Sequence, residues 1–203
     1  QMSIQTVGVV GAGTMGNGIA QACAVRGIDV VMVDIQEAAV QRGLATIGGS
    51  LDRLIKKDKM TAAEKDAALA RVTGTTDYGA LKAAQLVIEA ATESEPLKLK
   101  ILHQLDGLLD SATIIATNTS SISITKLAAA TQRADRFIGM HFFNPVPMMA
   151  LVEIIRGLQT TDATHESVKA LAERLGKSPI TVKNAPGFVV NRILVPMINE
   201  AFF

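Results

Sequence analysis

Cysteine, net charge and long apolar runs are all scarce in this sequence, and their scarcity narrows the class of protein. The single cysteine, Cys23, falls in a helical stretch and is better explained as a small buried residue than as a redox group or nucleophile. The formal net charge of +1 gives no reason to expect nucleic acid or a membrane surface as partner. No apolar run reaches the roughly 18 residues of a transmembrane helix, and the N-terminus shows no secretory signal. We therefore expect a cytoplasmic protein.

The composition supports a sizeable folded core, because 48% of the 203 residues are hydrophobic and only 19% are charged. Strand-like apolar runs alternate with helical patterns along most of the chain, and the last strand pattern covers residues 179–182. This alternation predicts an α/β fold of the Rossmann type, with a doubly wound, mostly parallel sheet in a domain over residues 1–185.

The stretch VGVVGAGTMG predicts the site around which this sheet is organised. A buried strand leads into Gly11, Gly13 and Gly16, which have the G-x-G-x-x-G spacing of dinucleotide-binding turns. The first glycine permits a tight turn, the second lets the backbone approach a pyrophosphate, and the third lets helix and strand pack closely. The N-terminus of the following helix would then face the phosphates with free N–H groups.

Asp34 supports a dinucleotide ligand because it ends the next strand-like run, IDVVMVD. A carboxylate at this position can accept hydrogen bonds from both ribose hydroxyls, and it would repel a 2′-phosphate. NAD is therefore favoured over NADP. The alternative is a glycine-rich turn that binds no ligand.

Residues 36–70 predict a helical hairpin inserted between two strands. Thr61 and Glu64 have the spacing of a capping box, in which each side chain satisfies the other residue's backbone N–H. The end of the first helix carries a basic cluster of Arg53, Lys56, Lys57 and Lys59. Spacing alone favours a solvated helix face over a grip on an anionic ligand.

Residues 186–203 are predicted to be a linker and the first helix of a truncated, all-α domain. The linker signal is the Asn-Ala-Pro-Gly run that ends at Gly187. The following residues are apolar on several sides, and Pro196 predicts a kink because proline removes a helix hydrogen bond. Asn191 is the odd polar residue of this segment. It either bonds locally or reaches into the cleft between domains.

The carboxyl ends of the strands, where doubly wound sheets bind ligands, carry the reactive side chains. His141 ends an apolar strand beside Asn144, at the expected nicotinamide edge, and could act as the base in alcohol oxidation. Glu153 lies between apolar residues on the next strand, so it needs a partner and could support the imidazole. A satisfied core histidine and an unrelated carboxylate explain both residues equally well.

The remaining polar candidates have simpler explanations. Asn118 and Ser120 lie at another strand end, where they could donate to a substrate oxygen or could only satisfy their own turn. His103 and His165, the other two histidines, are both predicted to lie on the surface. We predict no metal site.

Taken together, six features resemble the 3-hydroxyacyl-CoA dehydrogenase family, above all its bacterial short-chain branch, for which 3-hydroxybutyryl-CoA is the expected substrate. These features are the glycine turn, Asp34 and the segments IEAATE, NTSSISIT, RFIGMHFFNPVPMMALVEII and PGFVVNR. The resemblance covers residues 3–203. It implies reversible, NAD-linked oxidation of the 3-hydroxyl group of an acyl-CoA to a ketone.

The resemblance also implies residue roles. It implies that His141 is the catalytic base, that Glu153 orients it, that Ser120 bonds the reacting oxygen, and that Asn191 bonds substrate near the thioester. The implied NAD contacts are Gly11, Gly13, Thr14, Met15, Gly16, Asp34, Ala90, Glu93, Lys98, Ser120 and Asn144, and the implied CoA contacts are Ser50 and Lys57. One lysine of the basic cluster is therefore expected to touch ligand.

Family members continue into a helical domain that makes most of a homodimer interface, and only its first helix is expected in this chain. We therefore predict that NAD binding is more robust than turnover. Two alternatives stay open. One is an NAD-binding fragment without catalysis. The other is a β-hydroxyacid dehydrogenase with a lysine base, against which the HFFNP and VE segments argue.

Overall fold

The short runs of β-branched residues form central strands, because such side chains suit a sheet that is buried on both faces. In the computed structural model, which describes residues 2–183, eight strands form a single sheet. They are β1 (Thr6–Val10), β2 (Asp29–Val33), β3 (Val72–Thr75), β4 (Leu86–Glu89), β5 (Ile114–Thr117), β6 (Phe137–Phe142), β7 (Leu151–Arg156) and β8 (Ser178–Lys183).

Helices connect most of these strands. They are α1 (Thr14–Ala24), α2 (Glu37–Lys56), α3 (Ala62–Ala70), α4 (Glu95–Leu108), α5 (Ile124–Ala128) and α6 (Asp162–Arg174), with short 3₁₀ helices at Tyr78–Ala83 and Ala134–Arg136. None of the helices within residues 2–183 is long and apolar enough to cross a membrane.

The strand order is β3-β2-β1-β4-β5-β6-β7-β8, and every neighbouring pair is parallel except β6 with β7. The predicted doubly wound, mostly parallel sheet is therefore confirmed. The order reverses at β1, which lies between β2 and β4. Such a reversal opens a crevice at the carboxyl ends of the strands, and β1 delivers the glycine turn to that crevice.

Each face of the sheet has its own apolar core. Ile19 of α1, Ile47 of α2 and Val168 of α6 pack on one face. Leu102 of α4 and Leu127 of α5 pack on the other. This two-sided burial explains why the central strands are apolar almost throughout rather than alternating with polar residues.

The predicted hairpin is confirmed by α2 and α3. Thr61 Oγ1 accepts from the Glu64 N–H at 3.1 Å, and the Glu64 carboxylate accepts from the Thr61 N–H at 3.0 Å, so the capping box is present. Gly27 and Gly176 lie just after α1 and α6, and both adopt positive φ angles. Helix α5 was not predicted, since its few residues are too short for a helical period to show.

The prediction that His165 lies on the surface is wrong. Its side chain is buried under β8, with Nε2 at 2.7 Å from Thr181 Oγ1. The helix turn that carries His165 packs on the last strand, a contact that the local polar pattern does not reveal. His103 is exposed, as predicted.

Candidate active site

The glycine turn has the geometry that its spacing predicts. Gly11 has a φ of +108°, and a Cβ there would lie 2.8 Å from the Ala90 carbonyl oxygen. A Cβ on Gly16 would lie 1.8 Å from the Gly11 carbonyl oxygen, so α1 can leave β1 this closely only without a side chain. A Cβ on Gly13 would meet no atom within 4 Å, so the backbone there is open to an approaching ligand.

Asn17, which the sequence analysis missed, holds this turn in place. Its buried side-chain amide donates to the Gly13 carbonyl oxygen at 2.7 Å and to the Ala12 carbonyl oxygen at 3.2 Å. Both bonds come from the first turn of α1 and reach back over the glycines. The signal in the sequence is a lone amide in an otherwise apolar and glycine-rich helix start.

Asp34 connects the end of β2 to the same turn. Its Oδ2 accepts from the Ala12 N–H at 3.0 Å, and its Oδ1 accepts from the Gln36 N–H at 3.3 Å. The carboxylate is half-buried at the wall of a cavity of about 330 Å³ that Tyr78 also lines. Burial, and then the negative charge of Asp34, raises the pKa of Tyr78.

This cavity combines apolar walls with the Asp34 carboxylate. Its other lining residues are Gly11, Ile35, Ala91, Leu97, Lys100, Ile101 and Gln104. An adenosine needs apolar walls for its base and an acceptor for its ribose hydroxyls, and side chains of both kinds line this cavity. The open backbone at Gly13 and the start of α1 lie next to it, so the residues fit a dinucleotide.

A buried ion pair lies beside this cavity. Lys98 of α4 and Glu89 of β4 pair with both side chains completely buried. Glu89 also accepts from Thr117 Oγ1 at 2.9 Å and from the Ala91 N–H at 2.9 Å. Lys98 is therefore not exposed to the cavity in this structure. Its contact with NAD stays a prediction, one that requires the ammonium group to leave this pair.

The loop after β4 carries the other two residues predicted to contact NAD there. Ala90 is half-buried, and its N–H donates to the Val10 carbonyl oxygen at 2.8 Å. Glu93 is exposed, and its Oε2 accepts from Thr119 Oγ1 at 3.2 Å and Ser121 Oγ at 3.3 Å. The carboxylate of Glu93 thus ties the loop after β4 to the loop after β5.

His141 and Glu153 meet across the only antiparallel pair of the described sheet, where they are directly opposite each other. The imidazole Nδ1 lies 3.3 Å from Glu153 Oε1. Glu153 is 3% exposed and lies between the buried Val152 and Ile154. The ring of Phe143 contacts the imidazole edge-on, with centroids 4.5 Å apart. The predicted partnership is present, and it leaves the imidazole Nε2 for another group.

Ser120 is half-buried in the loop that follows β5 and so lies at the same edge of the sheet as His141. Asn118 uses its side-chain oxygen within the fold, because its Oδ1 accepts from the Phe142 N–H at 2.8 Å, and donation from its Nδ2 to a substrate oxygen stays a prediction. Asn144 is exposed and follows β6 at a cis peptide bond with Pro145.

A second cavity, of about 570 Å³, lies between the hairpin and the glycine turn. Ser50 and Lys57 line it, as do Thr14 and Asn144. Arg53 and Lys59 of the basic cluster line it too. The structure therefore brings the two predicted CoA contacts together with the start of α1, in a cavity whose hairpin wall is cationic.

Asn191 and the predicted linker and helix of residues 186–203 lie outside the described residues. Within residues 2–183, no group of three or more histidine, cysteine or acidic side chains is placed to hold a metal ion. Cys23 is buried, as predicted, and burial raises the pKa of its thiol to about 12.

A glycine turn, a carboxylate at the end of the second strand and a histidine–glutamate pair, all at the carboxyl ends of the strands of a doubly wound sheet, are features of the nicotinamide-dependent dehydrogenases. Comparison with known families identifies the member of this class. Residues 6–185 match the family model "3-hydroxyacyl-CoA dehydrogenase, NAD binding domain". The chain therefore belongs to the 3-hydroxyacyl-CoA dehydrogenase family and contains its NAD-binding domain.

Individual relatives agree. The 3-hydroxybutyryl-CoA dehydrogenase of Bradyrhizobium diazoefficiens is 50% identical over 200 residues, which cover 98% of this chain and 68% of the relative. The enzyme of the same name from Clostridioides difficile is 48% identical and is covered to 69%. The crystal structure of (S)-3-hydroxybutyryl-CoA dehydrogenase from Ralstonia eutropha is 72% identical, with a TM-score of 0.94 over 98% of this chain and 71% of that one.

Proposed function

We propose that this protein interconverts (3S)-3-hydroxyacyl-CoA and 3-ketoacyl-CoA with NAD, and that 3-hydroxybutyryl-CoA is its substrate. The observation that carries the proposal is the His141–Glu153 pair at 3.3 Å, on the sheet edge that also holds the glycine turn. The relatives named 3-hydroxybutyryl-CoA dehydrogenase support the choice of substrate.

In the oxidation direction, His141 takes the proton of the 3-hydroxyl group at Nε2. Its Nδ1–H donates to Glu153, which fixes this tautomer and stabilises the imidazolium that forms. Ser120 donates a hydrogen bond to the reacting oxygen as the carbonyl develops. Bound NAD supplies the acceptor for the hydride that leaves the same carbon.

The CoA portion of the substrate binds away from the reacting carbon. Ser50 and Lys57 bind the CoA portion in the cavity between hairpin and glycine turn, where Arg53 and Lys59 add positive charge for its phosphates. The role of Asn191 near the thioester stays a prediction, as do the homodimer and the cytoplasmic location.

The test is NADH oxidation by this chain with acetoacetyl-CoA, followed by absorbance. We expect His141→Ala to lower kcat by about a hundred- to ten-thousandfold, because the group that protonates the ketone in this direction, and acts as base in the reverse one, is lost, while NADH affinity is retained. His103→Ala is the matched control, since it removes an exposed histidine and should change neither quantity.

Unchanged turnover in His141→Ala would overturn the assignment of the base. NADH binding without any acetoacetyl-CoA-dependent rate would instead support an NAD-binding unit without catalysis. Activity on free 3-hydroxybutyrate but not on its CoA thioester would support the β-hydroxyacid dehydrogenase alternative.

A further inference from the structure

Ser120 follows β5 and His141 lies on β6, and these two strands separate before they reach either residue. β5 and β6 pair only from Ile115 with Phe137 to Thr117 with Gly139. β6 continues to Phe142, but over this last part its ladder is with β7 alone. The backbone ladder therefore does not fix the distance between the end of β5 and the end of β6.

Asn118 bridges this gap with its side chain. Its Oδ1 accepts from the Phe142 N–H at 2.8 Å, in surroundings where Asn118 is 7% exposed and Phe142 is 1% exposed. The backbone N–H of Asn118 also donates to the Glu89 carbonyl oxygen at 2.9 Å. A single residue thus joins the ends of β4, β5 and β6.

This bond lies next to the proposed chemistry on both strands. Phe142 follows His141 directly, and Asn118 precedes Ser120 by one residue, Thr119. His141 is thereby held from two sides, by Glu153 across β7 and by Asn118 through the backbone from β5. A bond between Asn118 and Phe142 therefore connects the segment that carries Ser120 to the segment that carries His141.

We propose that Asn118 is a positioning residue of the dehydrogenase reaction, which sets the distance between Ser120 and His141 through its bond to Phe142; this inference rests on the proposed function. Catalytic groups need placement within about half an ångström, and a shift of about 1 Å can cost about a hundredfold in rate. Asparagine suits the place because its side chain supplies a neutral acceptor to a buried N–H and so brings no uncompensated charge into the interior.

The test compares kcat and the KM values of Asn118→Ala and Asn118→Asp. Alanine removes the acceptor and should lower kcat about ten- to a hundredfold, with the KM for NADH changed less than about twofold. Aspartate keeps the acceptor oxygen and should therefore restore part of kcat. Expressed as log kcat, the recovery should be at least about a third of the decrease seen with alanine. The negative charge of aspartate near His141 should also move the alkaline limb of the kcat/KM profile to higher pH, because ketone reduction needs the imidazolium as proton donor and a nearby anion favours that form.

Thr160→Val is the matched control. Thr160 is also buried, and its hydroxyl donates to the Phe137 carbonyl oxygen at 2.8 Å, at the opposite end of the same strand. We expect this variant to lose thermal stability but to keep kcat within about twofold of the parent.

The outcomes separate the two proposals. An active parent whose kcat is unchanged in Asn118→Ala overturns the positioning role alone, and so does a loss of kcat no larger than that of Thr160→Val. A parent that binds NADH but shows no acetoacetyl-CoA-dependent rate overturns the proposed function, and the positioning role with it.

Discussion

The sheet has one buried ion pair near the amino ends of its strands, here called the amino edge, and another near the carboxyl ends, the carboxyl edge. The two pairs stabilise different parts of the molecule. At the amino edge, Arg133 donates to the Asp106 carboxylate at 2.6 Å and to the carbonyl oxygens of Asp106, Leu109, Asp110 and Thr113. These contacts close the C-terminal end of α4 and the turn into β5. The pair therefore stabilises a connection that has no contact with the proposed ligands.

At the carboxyl edge, the Lys98–Glu89 pair holds a loop that faces the cavity lined by Asp34 and Tyr78, which we expect to take the adenosine of NAD. Glu89 accepts from the Ala91 N–H, and Ala91 lines that cavity. The Arg133–Asp106 pair at the amino edge thus supports the fold alone. The Lys98–Glu89 pair at the carboxyl edge supports both the fold and the candidate site. The comparison predicts that breaking each pair will affect stability at both edges and cofactor binding at one.

The largest effect is expected from Lys98→Met. It leaves the completely buried Glu89 carboxylate without its cation, which costs about 3–5 kcal/mol of unfolding free energy. NADH affinity should fall as well, since Glu89, whose carboxylate anchors the Ala91 loop, loses the cation that fixes its position. Urea unfolding and NADH titration measure the two effects. The double variant Lys98→Met with Glu89→Gln should recover much of the stability, and an unchanged NADH affinity in the single variant would break the comparison.

A smaller effect is expected from Arg133→Met, because the Asp106 side chain is 11% exposed and water can reach it. The loss should be about 2–3 kcal/mol, from several buried carbonyl oxygens left without donors. NADH affinity and kcat should stay within about twofold of the parent when both proteins are measured at a temperature at which the less stable variant is still folded. A selective loss of NADH binding in this variant would show that the two edges are coupled.

The smallest effect is expected for the titration of Tyr78, beside Asp34 at the carboxyl edge. Asp34 differs from the carboxylates of the two ion pairs because its partner is the Ala12 N–H and not a cation. The pKa of Tyr78 is raised by burial and by Asp34, so its phenolate should form at higher pH in the folded chain than in urea. Its stabilising contribution is therefore complete below about pH 10 and is lost as the pH rises through the folded value. The pH at which the Tyr78 phenolate forms can be measured by absorbance in the folded chain and in urea. Asp34→Asn should reduce the difference between the two values.

The same tyrosine reports on cofactor binding. The sequence has one tyrosine and no tryptophan, so the intrinsic emission of the chain above that of phenylalanine comes from Tyr78. NADH bound beside Asp34 should quench this emission in the parent and in Arg133→Met alike. Quenching that is absent in the parent would place the adenosine elsewhere.

The sequence predicts the features whose signal is local. The glycine turn, the capping box at Thr61 and the strand alternation depend on residues close together in the chain, and the structure has all three. The pairing of His141 with Glu153 could also be inferred, since a carboxylate among apolar residues needs a partner. The antiparallel direction that brings them together could not.

The missed features depend on residues that meet only after folding. Asn118 bonds to Phe142 across 24 positions of the sequence, and His165 contacts Thr181 across 16. Lys98 and Glu89 are nine apart but lie on different elements, so no helical or strand period connects them. The sequence shows that such polar residues exist, but their partners are chosen by the packing of the sheet and its helices.

Asp34 has a consequence for redesign. Its carboxylate, which would choose between the two nicotinamide cofactors, also accepts from the Ala12 N–H and so braces the phosphate-binding turn. A change at Asp34 therefore alters the choice of cofactor and the rigidity of the glycine turn at the same time. An engineer who replaces Asp34 to admit a 2′-phosphate must first give the Ala12 N–H a new acceptor, because otherwise the altered enzyme would grip either cofactor less firmly.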